Sequence, residues 1–302
     1  MNHDAALRAE LDALAEAGLG RAVCPLTPDR VDFVTNDYLG LASDPALVEA
    51  ARAAAAEHGA GGRAARLLGG GSPLDRAAER AAAAWLGAED ALLVPSGYHA
   101  NLGVVVALAQ RGDLVLSDRR NHASLIDAAR LSRAMVRVFD DPQQLEDLLR
   151  AGRGARRRLV LTEGVFSMDG DTPDLADLAE RCLRHDARLV VDEAHAAGLV
   201  GPQGAGAWAA ADAAPEALAA RVVTGGKALG VAGGLIVGSV ALRDMCVQRA
   251  RSFVFTTAVA PPVAGALAVA IERARGASEG RAHARPCGTP VGVARQSWPR
   301  SG

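Results

Sequence analysis

Six short apolar runs recur through the middle of the chain, and each is bounded by polar residues. They are ALLV (91–94), DLVLS (113–117), RLVLT (158–162), RLVV (188–191), RVVT (221–224) and GLIVG (234–238). Segments with helical periodicity lie between most of these runs. Apolar runs that alternate with helices predict an α/β fold, in which helices cover both faces of a mostly parallel sheet.

The N-terminal part of the chain has a different pattern. MNHDAALRAELDALAEAG predicts an amphipathic helix, and VDFVTNDYLGLA (31–42) predicts a short strand followed by a turn. Helices are predicted from Pro45 to about His58 and from Arg76 to Trp85. The glycine-rich stretch GAGGRAARLLGGGSPLD between these helices predicts a turn and a loop.

Reactive side chains follow four of the predicted strands. In chain order they are Asp118 and His122, Glu163 and Ser167, Asp192 and His195, and Thr224 and Lys227. In an open parallel sheet, ligands bind beyond the carboxyl ends of the strands. The sequence therefore predicts a ligand site at one edge of the sheet, built from four strands.

Charge and cysteine spacing argue against several classes of protein. The 302 residues have a net charge of −2, spread along the chain, so neither nucleic acid nor a membrane surface is an expected partner. Four cysteines lie far apart without a CxxC pair, which argues against a metal site and favours reduced thiols in the cytoplasm. The N-terminal helix contains acidic residues, unlike a signal segment. The sequence has no run of about 18 apolar residues, so no membrane span is expected.

The letters DEAH at residues 192–195 resemble the acidic motif of a helicase. Such an enzyme also needs a phosphate loop of the form GxxxxGK[ST]. The Gly226-Lys227 pair has Arg221 in place of the first glycine and Ala228 in place of Ser or Thr. The sequence therefore argues against a helicase.

A single lysine among glycines, Lys227 in TGGKALGVAGG, favours a different chemistry. Glycine neighbours allow a flat ligand to approach closely. Pyridoxal phosphate (PLP) needs a lysine amine for its aldehyde and an acid that keeps its ring nitrogen protonated. Lys227, with Asp192 at the end of another strand, satisfies both needs.

Seven motifs in order resemble the α-oxoamine synthases, which have the type I aminotransferase fold. They are NDYLGLA, SGYHANLG, DRRNHASLIDAAR, TEGVFSMDGD, VVDEAHAAGLVGPQGAG, TGGKALG and FVFTTAVAPP, within residues 10–265. The resemblance implies a homodimer with shared active sites, in which PLP-dependent catalysis joins an amino acid to an acyl-CoA or acyl carrier protein thioester with loss of CO2. NHASLIDAARLS and VFSMDGD are most similar to members that act in biotin biosynthesis, which implies L-alanine and a pimeloyl thioester as substrates.

The resemblance also implies roles around the cofactor ring. Lys227 is expected to bind the aldehyde, and Asp192 to pair with the pyridine nitrogen. His122 is expected to stack on the ring face. His195 and Ser167 are expected to form hydrogen bonds around the ring hydroxyl.

Other residues are expected to bind the phosphate and the substrate. The implied phosphate ligands are Ser96, Gly97 and Tyr98, at a strand-to-helix turn with free backbone N–H groups, and Thr224, at the end of a second strand. Thr257, in FTT, matches a threonine that reaches the phosphate from the other subunit. Asn36 and Arg21 match positions on the substrate side.

Taken alone, these residues are also compatible with structural roles. Lys227 also suits a solvated turn, and Asp192 and Ser96 suit helix caps. Ser167 lies in SMDGD, which is typical of a turn, and a lone His122 is more typical of a surface. Two functional alternatives stay open: glycine C-acetyltransferase or another α-oxoamine synthase, and an inactive chain that binds PLP or dimerises.

The chain departs from the family pattern twice. Asp75 stands where the family usually has a histidine, which leaves the fine substrate specificity open. The family pattern stops near Arg275, before the C-terminal domain whose arginine binds the substrate carboxylate, and the tail lacks helical or strand periodicity. We expect a truncated product, with a naturally disordered tail as the alternative. The predicted parts are an N-terminal segment (1–44), a large PLP-binding domain (45–262) and a C-terminal remnant (263–302).

Overall fold

A computed structural model describes residues 2–23 and 32–284. The chain divides into two units, residues 1–35 and residues 36–302. Cys24, Cys287 and residues 285–302 of the tail on which the expected truncation rests lie outside the described residues. Residues 280–284, at the start of that tail, belong to a helix (Ser278–Ala284), although their sequence shows no helical periodicity. The three-part division made from the sequence stays a prediction.

The first unit contains helix α1 (His3–Glu16), where the sequence predicts it. The short strand predicted from Val31 is wrong over the described residues 32–35. Asp32 Oδ1 accepts hydrogen bonds from the backbone N–H groups of Val34 and Thr35, each at 3.0 Å, so the chain turns here. Phe33 and Val34 are 85% exposed, and their apolar character alone caused the error.

The second unit is an alternation of strands and helices. Its strands are β1 (Asp90–Val94), β2 (Leu114–Asp118), β3 (Met135–Phe139), β4 (Arg158–Glu163), β5 (Ala187–Asp192), β6 (Leu218–Thr224) and β7 (Gly234–Gly238). Its helices are α2 (Pro45–His58), α3 (Pro73–Leu86), α4 (Gly97–Leu108), α5 (Ala123–Leu131), α6 (Pro142–Ala151), α7 (Leu175–Arg184), α8 (Ala207–Ala210), α9 (Val240–Arg249), α10 (Arg251–Val254), α11 (Pro261–Gly276) and α12 (Ser278–Ala284). Among the described helices, none has the length and apolarity to span a membrane.

The seven strands form one sheet in the order β1-β7-β6-β5-β4-β2-β3. Every neighbouring pair is parallel except the two that involve β7, which runs antiparallel to both β1 and β6. The predicted α/β class with a mostly parallel sheet is therefore confirmed. The carboxyl ends of β1, β2, β4, β5 and β6 all lie at one edge of the sheet.

Both faces of the sheet are covered by helices, which explains the continuous apolar runs. Along β5, Leu189 and Val191 pack in the cluster that contains α6 and α7. Val190, between them, packs in the cluster that contains α4 and α5. Because side chains alternate along a strand, Asp192 shares the α4 and α5 face with Val190.

The sequence predicts six of the seven strands and misses β3. Four of its five side chains are exposed or half-buried, and its centre is Arg137. β3 lies at the edge of the sheet and pairs only with β2 among the described strands. An edge strand needs no apolar run, and its sequence therefore lacks the signal that marks the other strands.

Candidate functional site

The polar residues that follow the strands meet at the carboxyl edge of the sheet, as predicted. Glu163 and Asp192, the last residues of β4 and β5, are directly paired in the sheet register. The backbone N–H of His122, at the start of α5, donates to Glu163 Oε1 at 2.5 Å. Lys227 follows β6 by three residues, and its Nζ contacts His195 Nε2.

A series of hydrogen bonds connects Asp192 to His122. Asn101 Nδ2 donates to Asp192 Oδ2 at 2.6 Å and to Ser124 Oγ at 2.8 Å. Ser124 Oγ is 2.8 Å from His122 Nδ1, which also accepts from the Ser124 backbone N–H. Asp192, Asn101 and Ser124 are buried, whereas His122 is exposed. These hydrogen bonds thus connect the buried Asp192 carboxylate to the His122 imidazole at the surface.

Asp192 also accepts a hydrogen bond from the backbone N–H of Ala194 at 2.9 Å. The sequence also suits Asp192 as a helix cap, but residues 193–200 form turns and no helix, so this contact closes a local turn. Among the described residues, both hydrogen-bond donors to the carboxylate, Asn101 and Ala194, are neutral, although Asp192 is only 4% exposed. A buried carboxylate is more stable with a cationic partner, and this position therefore suits a cationic ligand.

Glu163 has the most perturbed carboxyl group of the site. It is 1% exposed, and burial, followed by the charge of Asp192, raises its pKa to about 8. Hydrogen bonds from the backbone of His122 and Ser167, together with the charge of Lys227, oppose this shift in pKa. The side chain can therefore hold or release a proton near neutral pH.

Lys227 and His195 contact each other within the site. Burial lowers the pKa of the Lys227 amine, and the charges of Asp192 and Glu163 oppose the change. Burial, followed by the charge of Lys227, lowers the pKa of His195 to about 3, so its imidazole is neutral at pH 7. His195 Nδ1 lies 2.8 Å from the hydroxyl of Tyr38. An amine with a lowered pKa beside a neutral imidazole suits nucleophilic and proton-transfer chemistry.

The predicted phosphate residues lie together at the start of α4. Ser96 is the N-cap and accepts from the backbone N–H of His99. The amides of Gly97 and Tyr98 belong to the first helical turn, where N–H groups have no acceptor within the helix. A Cβ on Gly97 would lie 3.0 Å from Thr224 Cβ, which places the end of β6 directly against this turn.

Glycine is also required on the strand beside this turn. A Cβ on Gly234, the first residue of β7, would lie 2.3 Å from the carbonyl oxygen of Ser96. The glycines therefore allow two backbone segments to meet closely and expose N–H groups at one point. This geometry is typical of an anion site at a helix N-terminus.

Two of the predicted cofactor-binding residues, Thr257 and Ser167, are connected less directly to the other site residues. Thr257 is exposed, bridges to Ala65 and lines a small pocket with Arg66 and Asp75. The backbone of Ser167 contacts Glu163. The predicted roles of Thr257 and Ser167 stay predictions.

The two substrate-side candidates differ in placement. Asn36 Oδ1 accepts a hydrogen bond from the Tyr38 hydroxyl at 2.9 Å, which connects Asn36 to His195. Arg21 belongs to the first unit, where its side chain is exposed. The substrate role of each stays a prediction.

The sequence places Glu163 at this edge of the sheet without a specific role. Three further residues complete the site: Asn101, Ser124 and Tyr38. Each lies inside a motif that carries the resemblance, which is the signal that could have found it. Lys227 carries a further signal, because it is the only lysine in the sequence. Among the described residues, no cluster of His, Cys, Asp or Glu is arranged to hold a metal ion.

The family model for aminotransferase class I and II matches residues 28–284. The chain belongs to this family. Its sequence is 48% identical, over 277 residues, to 8-amino-7-oxononanoate synthase of Anaeromyxobacter sp. (strain K), covering 87% of this chain and 69% of that protein. This similarity confirms the resemblance to the α-oxoamine synthases.

Solved structures give the same result. Serine palmitoyltransferase of Sphingomonas wittichii superposes with a TM-score of 0.83 and 31% identity, covering 92% of this chain and 73% of that one. A structure of SPT with PLP has a TM-score of 0.81 and 28% identity, with coverage of 92% and 73%. The 8-amino-7-oxononanoate synthase of Francisella tularensis has a TM-score of 0.74 and 28% identity, with coverage of 86% and 73%.

Proposed function

We propose that this chain provides the active site of a PLP-dependent C-acyltransferase. The reaction is the condensation of L-alanine with a pimeloyl thioester, which gives 8-amino-7-oxononanoate, CO2 and the free thiol. The observation that carries the proposal is the placement of Lys227, the only lysine of the chain, in a half-buried site with Asp192, Glu163 and His195. The 48% identity to an 8-amino-7-oxononanoate synthase supports the choice of substrates.

The residues present fit PLP. Lys227 offers an amine with a lowered pKa, and Asp192 offers a buried carboxylate whose present donors are neutral. The amides of Gly97 and Tyr98, with the hydroxyls of Ser96 and Thr224, would hold the phosphate. His122 would lie on the ring face, and His195 and Ser167 would contact the ring hydroxyl. When bound, the cofactor supplies a pyridinium ring that stabilises negative charge on the α-carbon of the amino acid.

The site residues account for the proton movements of the reaction. Because burial lowers the pKa of Lys227, the neutral amine that can accept a proton from the α-carbon is more abundant at pH 7. The α-carbon then forms a bond to the thioester carbonyl carbon as the thiolate leaves. After the carboxylate leaves as CO2, Lys227 returns a proton to the same carbon. The Asp192 carboxylate would balance the positive charge of the ring.

The chain is further proposed to form a homodimer in the cytoplasm. Leu68 and Phe255 flank the bridge between Ala65 and Thr257, and their side chains are largely exposed. Exposed apolar side chains of this kind mark interaction sites. The family resemblance assigns Thr257, beside them, to the phosphate site of the other subunit. The two cysteines within the described residues are free thiols, which suits a reducing compartment.

The decisive experiment is reduction with borohydride after PLP is added. With one lysine in the chain, covalent PLP is expected at a single lysine-containing peptide, the one with Lys227. Lys227→Ala should abolish the labelling, and Lys227→Arg provides a control that keeps the positive charge. Equal labelling of Lys227→Ala would refute the assignment.

The substrates are tested separately. Release of the thiol is measured with L-alanine and pimeloyl-CoA, and with glycine and acetyl-CoA. Preference for the first pair supports the proposal, and preference for the second assigns the chain to glycine C-acetyltransferase. PLP labelling without turnover of either pair would favour the alternative of a chain that binds the cofactor but is inactive.

A further inference from the structure

The Tyr38 hydroxyl lies between Asn36 and His195. Its oxygen is 2.9 Å from Asn36 Oδ1 and 2.8 Å from His195 Nδ1. The carbonyl oxygen of an asparagine side chain can only accept hydrogen bonds. Tyr38 therefore donates its single hydroxyl proton to Asn36.

This direction fixes the hydrogen on the imidazole of His195. With its proton given to Asn36, the Tyr38 oxygen presents a lone pair to Nδ1, and Nδ1 must carry the hydrogen. A neutral imidazole has one N–H, so Nε2 is the acceptor, and it faces Nζ of Lys227. The low pKa of His195, about 3, keeps the ring neutral over the working range of pH.

The fold holds Tyr38 in this position. The Asp37 carboxylate accepts from the backbone N–H groups of Leu41 and Ala42, at 2.9 and 3.0 Å, and closes the turn that follows Tyr38. Gly230 packs directly on this turn, because a Cβ at Gly230 would lie 2.4 Å from Ala42 N. Burial raises the pKa of Tyr38, so its phenol stays protonated.

We propose that Tyr38 is a positioning residue that holds His195 in the Nδ1–H tautomer, so that Nε2 accepts a hydrogen from Lys227. In the opposite tautomer, an N–H of the ring would face the N–H groups of the amine. Tyr38 therefore orients the lysine without contacting it. The role of this tautomer in catalysis rests on the proposed function, whereas the assignment of the tautomer does not.

The tautomer is measured directly by NMR of cofactor-free protein labelled with ¹⁵N-histidine, between pH 6 and 10. The His195 signals are assigned with His195→Gln. The wild-type protein is expected to keep Nδ1–H throughout. In Tyr38→Phe, Nδ1–H would lose its acceptor, so we expect the Nε2–H form to gain population as Lys227 loses its proton.

Asn36 provides a matched pair of variants at an exposed position, which tests the proposal even if Tyr38→Phe is unstable. Asn36→Ala removes the acceptor and frees the tyrosine proton to turn towards Nδ1, so the Nε2–H form should appear. Asn36→Asp keeps an acceptor, so Nδ1–H should persist. Wild-type protein in the Nε2–H form, or Nδ1–H retained in both Tyr38→Phe and Asn36→Ala, would overturn the proposal.

Lys227 gives a second measurement. Reductive ¹³C-methylation labels two amines in the chain, Lys227 Nζ and the N-terminus, and the N-terminal signal serves as an internal control. In Tyr38→Phe the pKa of Lys227 should fall by about one unit, a tenfold loss of proton affinity, because a charged hydrogen bond is weakened. An unchanged pKa would count against the proposal. If the expected tautomer is present but PLP does not label Lys227, the proposed function is refuted and the assignment of the tautomer stands.

Discussion

Glu163 should make the stability of the cofactor-free protein fall as the pH rises. The pKa of its carboxyl is about 8 in the folded chain, against an ordinary value of 4.5. Between these values the folded protein keeps a proton that the unfolded chain has lost. The stabilisation is therefore complete below pH 4.5 and disappears as the pH rises towards 8. At about 1.4 kcal/mol per pH unit, the free energy of unfolding should fall by about 3 kcal/mol between pH 4.5 and 7.

Glu163→Gln removes the titration and keeps an oxygen that can accept from the His122 backbone. The difference in unfolding free energy, variant minus wild type, should increase by about 3 kcal/mol over the same interval. His195 acts in the opposite direction, because its pKa of about 3 makes the protein lose stability as the pH falls below 6.5. That contribution is present in both proteins and cancels in the difference.

The measurement is urea unfolding of both cofactor-free proteins at several pH values from 4.5 to 8. Glu180→Gln is the control, because the Glu180 side chain is 70% exposed in a pair with Arg184 and should change the unfolding free energy by less than about 1 kcal/mol. Parallel curves for wild type and Glu163→Gln would refute the reasoning, since they would mean that Glu163 is ionised in the folded protein at pH 7.

Three further outcomes are expected. Gly234→Ala should weaken PLP binding at least tenfold in a spectroscopic titration, because the added Cβ would displace the turn that starts α4. Gly154→Ala is the control and should bind PLP normally, because nothing lies within 4 Å of the added Cβ. Equal affinities of the two variants would contradict the proposed phosphate site. Asp192→Asn should slow α-proton exchange of alanine in deuterated water by about a hundredfold or more, because the amide cannot hold the ring proton by charge, and an unchanged rate would exclude this role. Phe255→Asp, at a side chain that is 71% exposed, should shift the sedimentation equilibrium towards monomer, and a dimer of unchanged affinity would move the interface elsewhere.

Much of the fold could be predicted because burial leaves a strong signal. Strands covered on both faces need apolar residues at every position, and RLVLT and RLVV show this directly. β3 lacks the signal because it is an exposed edge strand. Residues 32–34 have the signal without the structure, since Phe33 and Val34 face solvent.

The candidate site was predictable as a location but not as a network. The strand-end rule places Asp192 and Lys227 at one edge of the sheet. It cannot show that Asn101, on another element, bridges Asp192 to Ser124, because those partners are far apart in sequence. The raised pKa of Glu163 depends on the same three-dimensional proximity and on burial, and neither can be read from a run of letters.

The antiparallel strand β7 has a consequence for the position of Lys227. Because β6 and β7 are neighbours, residues 225–233 form a short loop whose two ends are joined by a hydrogen bond of 2.8 Å from Gly225 N to Gly233 O. Two more backbone hydrogen bonds close the loop, from Gly230 N to Lys227 O and from Val231 N to Gly225 O, each at 2.8 Å. Ala228 and Leu229, which follow the lysine, are buried in the core. The sheet and the core together therefore fix the backbone at Lys227, so the pairing of β6 with β7 sets where its amine can reach.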